Sequence, residues 1–393
     1  MRLAVLALTT AIAAALSAPA ASAAPCGGSF SAFLKALKAE ARNNGFGQAE
    51  VDRFFRTAQQ DPKVLQADRG QGVFRKSFTE FSGSLISKNR IDNGAKNAKK
   101  YRAVFDRAER DYGVSRGILL SFWAFETDYG AFQGNYNTLN ALVTLGYDCR
   151  RPELFQPQIH AAMKLWRRGM FDPAATTGAW AGEVGMVQML PADILERGVD
   201  GDGDGKVTLK TSAPDAILSG ARMLRDLGWR KGEPWLQEVS VPDTLDWGKT
   251  GLEQTLSGAA WARMGVRPAR GKIEAALPAS LLLPEGRKGP AFLAYPNFQV
   301  LFRWNKSFVY VTTAAYFGTR LEGAPVYDKG RPDAQLSLDD MKALQRRLQA
   351  RGHDVGGIDG ILGAMTRVAV QKEQARLGLP ADAWPTKDLL NKL

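Results

Sequence analysis

The run Phe122-Trp123-Ala124-Phe125-Glu126-Thr127-Asp128-Tyr129-Gly130 sets one carboxyl at the end of an aromatic, helix-forming stretch, just before a glycine break. A glutamate placed there stands at a cleft wall beside apolar surface. Desolvation disfavours its anion and raises its pKa, which suits a general acid at neutral pH. Glycosidic bonds need that chemistry, because the leaving oxygen must be protonated as the sugar becomes oxocarbenium-like. Taken alone, the pattern also describes a surface glutamate at a helix terminus. Asp128, two residues on, points away from Glu126 on a helix and reads as structural.

Asp200-Gly201-Asp202-Gly203-Asp204-Gly205-Lys206 matches the start of a calcium loop. Side-chain oxygens at positions 1, 3 and 5, a glycine at 6 and the backbone carbonyl of Lys206 at 7 form the required shell. Position 12 is Thr211 rather than a bidentate glutamate, so affinity should be low. The alternative is an acidic turn of hydrated Asp-Gly repeats. Three aspartates would repel a phosphate.

Composition narrows the rest. The 393 residues are 45% hydrophobic, which excludes a disordered chain and suggests about two or three domains. His160 and His353 are the only histidines, too few for a histidine-rich metal site or a Ser-His-Asp triad. Two cysteines exclude zinc ribbons and iron–sulfur clusters. Chemistry must rest mostly on carboxylates, amides, hydroxyls and aromatics.

The chain opens like an export signal. Met1-Arg2 precedes an apolar run from Leu3 to Leu16, and Ala21-Ser22-Ala23 is a small-x-small cleavage site. The expectation is a cleaved signal over 1–23 and a periplasmic protein beginning near Ala24. Pro25 argues against lipid on Cys26, and no later stretch is long enough to span a membrane. Export permits a Cys26–Cys149 disulfide, the simplest arithmetic for two cysteines; two independent thiols are the alternative. Net charge is +12, but the basic residues are dispersed and an exported chain seldom meets nucleic acid. A solvated surface, or attraction to an anionic polymer outside the cytoplasm, remains.

Helical spacing recurs at Phe30, Phe33, Leu34 and Leu37, and helices are expected through residue 110. An apolar helix carries Glu126, and another holds Phe155, Ile159, Met163 and Trp166. A glycine-rich stretch over 178–185 leads into a short helix at Pro191, and an amphipathic helix runs from Ile217 to Leu227. Short strands are expected over 240–310. Residues 323–335 read as a linker, and 336–393 as a small helical unit in which Thr366 caps the second helix.

From Phe81 to Tyr310 the chain resembles the lytic transglycosylase B family, exported enzymes that cleave peptidoglycan. Five pieces in the family's order carry this: Phe125–Gly130, Ala141–Leu145 with Asp148–Arg151, Trp180–Pro191, Leu227-Gly228-Trp229, and Asn297–Tyr310. The resemblance implies a mainly α, lysozyme-like catalytic domain over 24–322 with a small β element. It makes Glu126 the single catalytic carboxyl, first protonating the bond between N-acetylmuramic acid and N-acetylglucosamine, then acting as base towards the muramic 6-hydroxyl. The product is a 1,6-anhydro end, no water is consumed, and no cofactor is needed for the chemistry. Gln188 matches an amide beside the acetamido groups, and Tyr310 a tyrosine of the cleft. Asp215 approximates a late aspartate that closes the family's loop, for a structural Ca2+.

Departures from the pattern matter. Ala179 stands where the family has serine, Glu183-Val184 replaces Ala-Met, and Trp304 replaces a tyrosine while keeping a stacking surface. Glu183 adds a carboxyl near the cleft that would push Glu126 upward by like-charge repulsion. The last unit resembles a three-helix peptidoglycan-binding domain, through Ala343–Leu348, Gly357–Gly360, Gly363–Thr366 and Val370-Gln371. The reading is a monomeric lytic transglycosylase whose partner is peptidoglycan. A muramidase in which water attacks, and a wall-binding scaffold with a degraded site, are the alternatives.

Overall fold

The computed structural model describes residues 24–70 and 75–393; the expected signal segment 1–23 lies outside them. Seventeen α-helices dominate the described residues. Six span residues 30–112, and Ser29, Asp61, Ser77 and Ser87 accept backbone N–H groups at four of the starts.

The central pair is Arg116–Thr127 against Phe308–Leu321. Ser115 bonds Glu322, the Ser121 hydroxyl donates to the Ala314 carbonyl at 2.7 Å, and Glu126 meets Tyr310. That order makes the helices antiparallel and sets the last turn of one beside the first turn of the other. Ile118, Leu120, Phe122 and Trp123 are buried, so the Arg116–Thr127 helix is apolar nearly all round.

The described residues also form seven short strands: β1 Tyr136–Asn137, β2 Thr177–Gly178, β3 Leu236–Ser240, β4 Leu256–Ser257, β5 Arg267–Pro268, β6 Pro278–Leu282 and β7 Ala291–Ala294. β1 pairs with β2; the others form an antiparallel sheet in the order β4-β6-β7-β3-β5. Leu281 and Leu293 face one another in register towards a small core around Trp261 and Tyr295. Their neighbours Leu282 and Phe292 face the main helical core. Alternation along β6 and β7 thus lets two buried strands serve two cores. The strands end at Ala294, earlier than expected; Pro296–Trp304 is a helix, begun by a proline in its first turn.

Cys26 and Cys149 form a disulfide with Cα atoms 5.2 Å apart, closing a separation of 123 residues. The Gln156 amide donates to the Ala24 carbonyl at 2.8 Å, binding the same N-terminal segment.

Residues 323–335 contain no helix or strand, yet they are not a free spacer. Tyr327 is buried in the main core, and its hydroxyl lies 2.8 Å from that of Ser82. The C-terminal unit has helices Leu338–Ala350, Ala364–Arg376 and Lys387–Lys392 around its own core of Leu344, Leu348, Val370 and Leu389. Thr366 caps nothing. Gly363 is the N-cap, and Thr366 is buried inside the helix, its hydroxyl donating to the Val355 carbonyl at 3.2 Å.

Candidate active site

The Arg116–Thr127 helix ends where its carboxyl is needed. Asp128 and Tyr129 adopt left-handed backbone conformations, and Asp128 is held by Arg90 at 3.1 Å. The Thr127 hydroxyl donates to the Met186 carbonyl at 2.6 Å and accepts the Gly130 amide at 3.0 Å. Glu126 therefore sits beside a helix end that is hydrogen-bonded to the loop carrying Met186. Asp128 is structural, an ion-pair partner of Arg90. Arg90 gave no sign in the sequence, because its partner lies 38 positions away.

That loop, Ala179–Met189, is shaped by glycines. A Cβ on Gly178 would collide with the Glu183 carbonyl, and Gly185 has φ +85°. Val184 and Met189 exchange backbone hydrogen bonds at 2.9 and 3.1 Å. Gln188, at φ +49°, donates from Nε2 to the Gly185 carbonyl at 2.7 Å. Its amide nitrogen braces the loop, while its carbonyl oxygen has no hydrogen-bond partner among the described residues.

Glu126, Glu183, Gln188, Trp304, Ala179, Trp180 and Asp193 line one cleft of about 360 Å³. Tyr310 is buried behind it and donates its hydroxyl to Oε1 of Glu126 at 2.5 Å. Trp304 stacks on Phe122, ring centroids 4.7 Å apart. Asp193, unmarked by any motif, is held by Arg197 at 2.7 Å.

Burial pushes the Glu126 carboxyl up to about 7. The Tyr310 hydrogen bond opposes this, the charge of Glu183 adds to it, and a hydrogen bond from Trp304 opposes it again. Burial also raises Glu183, and raises the Tyr310 phenol well above its ordinary range, so the phenol remains a donor. A carboxyl near 7 can give up and take back a proton at neutral pH.

The acidic loop stands apart from this cleft. Carboxylate oxygens of Asp200, Asp202 and Asp204 lie within 4.8 Å of one another, a spacing that fits a shared cation. Asp215 does not join them. It is fully buried and accepts the Gly201 and Thr208 amides at 2.8 and 2.7 Å, bracing the loop from beneath. The Lys206 amide donates to Asp204 at 2.8 Å, closing the turn.

A family model for the transglycosylase SLT domain matches residues 29–319, and one for a peptidoglycan binding domain matches 337–393. Membrane-bound lytic murein transglycosylase B of Escherichia coli (strain K12) is 27% identical over 248 residues, 62% of this chain and 66% of that protein. The crystal structure of SltB3 from Pseudomonas aeruginosa in complex with NAG-anhNAM-pentapeptide is 34% identical, with TM-score 0.84, covering 93% of this chain and 99% of that one. The Escherichia coli lytic transglycosylase SLT35 in complex with calcium is 26% identical, with TM-score 0.65, covering 74% and 92%. Matched over most of its length by the first of these models, the chain belongs to the transglycosylase SLT domain family and carries a peptidoglycan-binding module behind the catalytic fold.

Proposed function

We propose that this chain is a periplasmic lytic transglycosylase that cleaves the β-1,4 bond between N-acetylmuramic acid and N-acetylglucosamine in peptidoglycan, leaving a 1,6-anhydro end. One observation carries the reading: a carboxyl with pKa about 7 opens onto a cleft with a phenol donating to it. Glu126 gives its proton to the glycosidic oxygen as the bond to muramic C1 breaks. The carboxylate left behind takes the proton of the muramic 6-hydroxyl as that oxygen bonds C1. Glu126 ends as it began, and no water is consumed.

Burial favours the first half of this cycle, and the Tyr310 hydroxyl stabilises the anion of the second. Gln188 has an open carbonyl oxygen for an acetamido N–H, and Trp304 offers a ring face to a sugar. The disulfide and the murein-degrading relative support an exported location. With Cys26 bonded to Cys149, its thiol is not free for lipid. A weak calcium ion bound by Asp200, Asp202, Asp204 and the Lys206 carbonyl would stiffen its loop, with Asp215 as the brace; it takes no part in the reaction.

The test is Glu126→Gln, which nearly preserves shape but cannot donate the proton. Release of anhydro-muropeptides from sacculi should fall by at least the ~10²–10⁴-fold of general acid catalysis, while sacculus binding persists. Near-normal release by a folded variant would refute the assignment. A parent enzyme that binds sacculi but releases nothing would favour the scaffold.

A further inference from the structure

A second concavity lies away from the cleft of Glu126. About 500 Å³ of space opens between the Lys88–Lys100 helix, the Arg102–Tyr112 helix after it, the start of the Arg116–Thr127 helix and the end of Phe308–Leu321. Arg116 opens the helix that Glu126 nearly closes, ~15 Å away along its axis. The charged lining is one-sided: Lys99, Arg102, Arg116 and Arg320 stand against Asp106 alone. Ile91, Leu120 and Leu321 add apolar wall.

These cations are short of partners. The side chains of Lys99 and Arg116 make no hydrogen bond and no ion pair among the described residues. Arg102 lies 3.7 Å from Asp106, and both are exposed. Arg320 spends Nη1 on the Tyr316 hydroxyl at 3.3 Å, and its Nε is buried with no partner. Other cations of the same two helices do find aspartates, Lys88 with Asp92 at 2.6 Å and Arg107 with Asp111 at 3.5 Å. Charges of one sign in a concavity with apolar walls focus their field on an entering counter-ion. A buried guanidinium N–H left unmade is a standing cost. The Nε–Nη2 edge of Arg320 is free to match the paired oxygens of a carboxylate.

We propose that this pocket is a further peptidoglycan-binding site, which takes the terminal carboxylate of a stem peptide between Arg320, Arg116 and Lys99 and its aliphatic side chains against Leu120 and Leu321. This rests on the reading of peptidoglycan as substrate and not on the role of Glu126. A phospholipid surface also offers anions, but it asks for an apolar anchor beside the charge. The large hydrophobics exposed among the described residues, Phe132, Leu154, Val326, Leu338, Ile358 and Met365, all lie outside this lining.

The probe is a sugar-free pentapeptide ending in D-Ala-D-Ala, titrated into the full mature chain beside its C-terminal amide, inorganic phosphate and phosphatidylglycerol vesicles. Side-chain NMR of the unmutated protein follows the Nε–H groups of Arg116 and Arg320. The acid peptide should shift both signals, and the amide should bind roughly tenfold more weakly, the worth of a hydrogen bond to a charged group. Arg116→Gln and Arg320→Gln should each weaken binding of the acid peptide by a similar factor. Arginine signals unmoved by that peptide overturn the proposal, whether or not the variants fold. Binding that both folded variants leave unchanged also overturns it, by placing the peptide in the cleft or on the C-terminal module. Phosphate bound as tightly as the acid peptide, or shifts caused by vesicles alone, overturn it in favour of a general anion site or a membrane surface. Failure of the parent to release anhydro ends from sacculi would instead count against the proposed reaction, which this titration does not involve.

Discussion

The hydroxyl of Tyr310 donates to Oε1 of Glu126 at 2.5 Å, joining residues 184 positions apart. The bond favours the anion and so draws the Glu126 pKa down against burial. Tyr310→Phe should therefore move the alkaline limb of the rate profile to higher pH. A lost hydrogen bond to a charged group is worth about 1.5–3 kcal/mol, so kcat should drop roughly 10- to 100-fold. A limb that moves to lower pH would contradict this role for the phenol.

A carboxyl raised by burial also weakens the fold. The folded pKa of Glu126, about 7, lies above its ordinary 4.5, so the folded protein keeps a proton that the unfolded chain releases between those values. Stability is then lost as pH rises from 4.5 through 7, by about 2–3 kcal/mol. Glu126→Gln removes that loss. Thermal melting should show the variant gaining on its parent between pH 5 and pH 8, and a constant difference across that range would contradict the raised pKa.

The carboxyl at the end of the Arg116–Thr127 helix was legible in the sequence because helix, carboxyl and glycine break are neighbours in the chain. The cysteine pairing was legible because two cysteines allow one bridge. What escaped depended on distance. Arg90 reaches Asp128 from another helix, and Arg151 pairs with Asp68 across 83 positions. Thr366 looked like a cap because threonine often is one, but Gly363 opens the helix and tertiary packing claims the threonine. Residues 323–335 have linker composition; only the tertiary structure shows Tyr327 inserted into the main core.

The docking of the C-terminal module is the least sequence-visible feature. Arg367 donates to the Pro284 carbonyl at 2.6 Å and lies over the Phe308 ring at 4.4 Å. Burial lowers its pKa to about 10, while Glu285 and Asp382 hold it up. Arg367→Met should cost about 1.5–3 kcal/mol by removing a charged group's hydrogen bonds to the Leu283 and Pro284 carbonyls. Calorimetry should show one transition for the parent and a separate, earlier module transition for the variant. One unshifted transition in both would show that the contact does not couple the two parts.

Calcium should stabilise the chain if its loop binds the ion, by an amount set by free concentration over Kd. Melting temperature should rise with millimolar Ca2+ and return on chelation, and Asp202→Asn should blunt the rise. A melting temperature unmoved by 10 mM Ca2+, about ten times the weak end of loop affinities, would show that Asp200, Asp202 and Asp204 form only a hydrated turn.

The central claim is that the muramic 6-hydroxyl, not water, ends the reaction begun by Glu126. Digestion of purified sacculi in ¹⁸O-water, followed by mass spectrometry of the released muropeptides, separates the two directly. The account predicts 1,6-anhydro ends, lighter by one water than reducing ends and free of ¹⁸O. Reducing ends carrying ¹⁸O would contradict it and identify a muramidase.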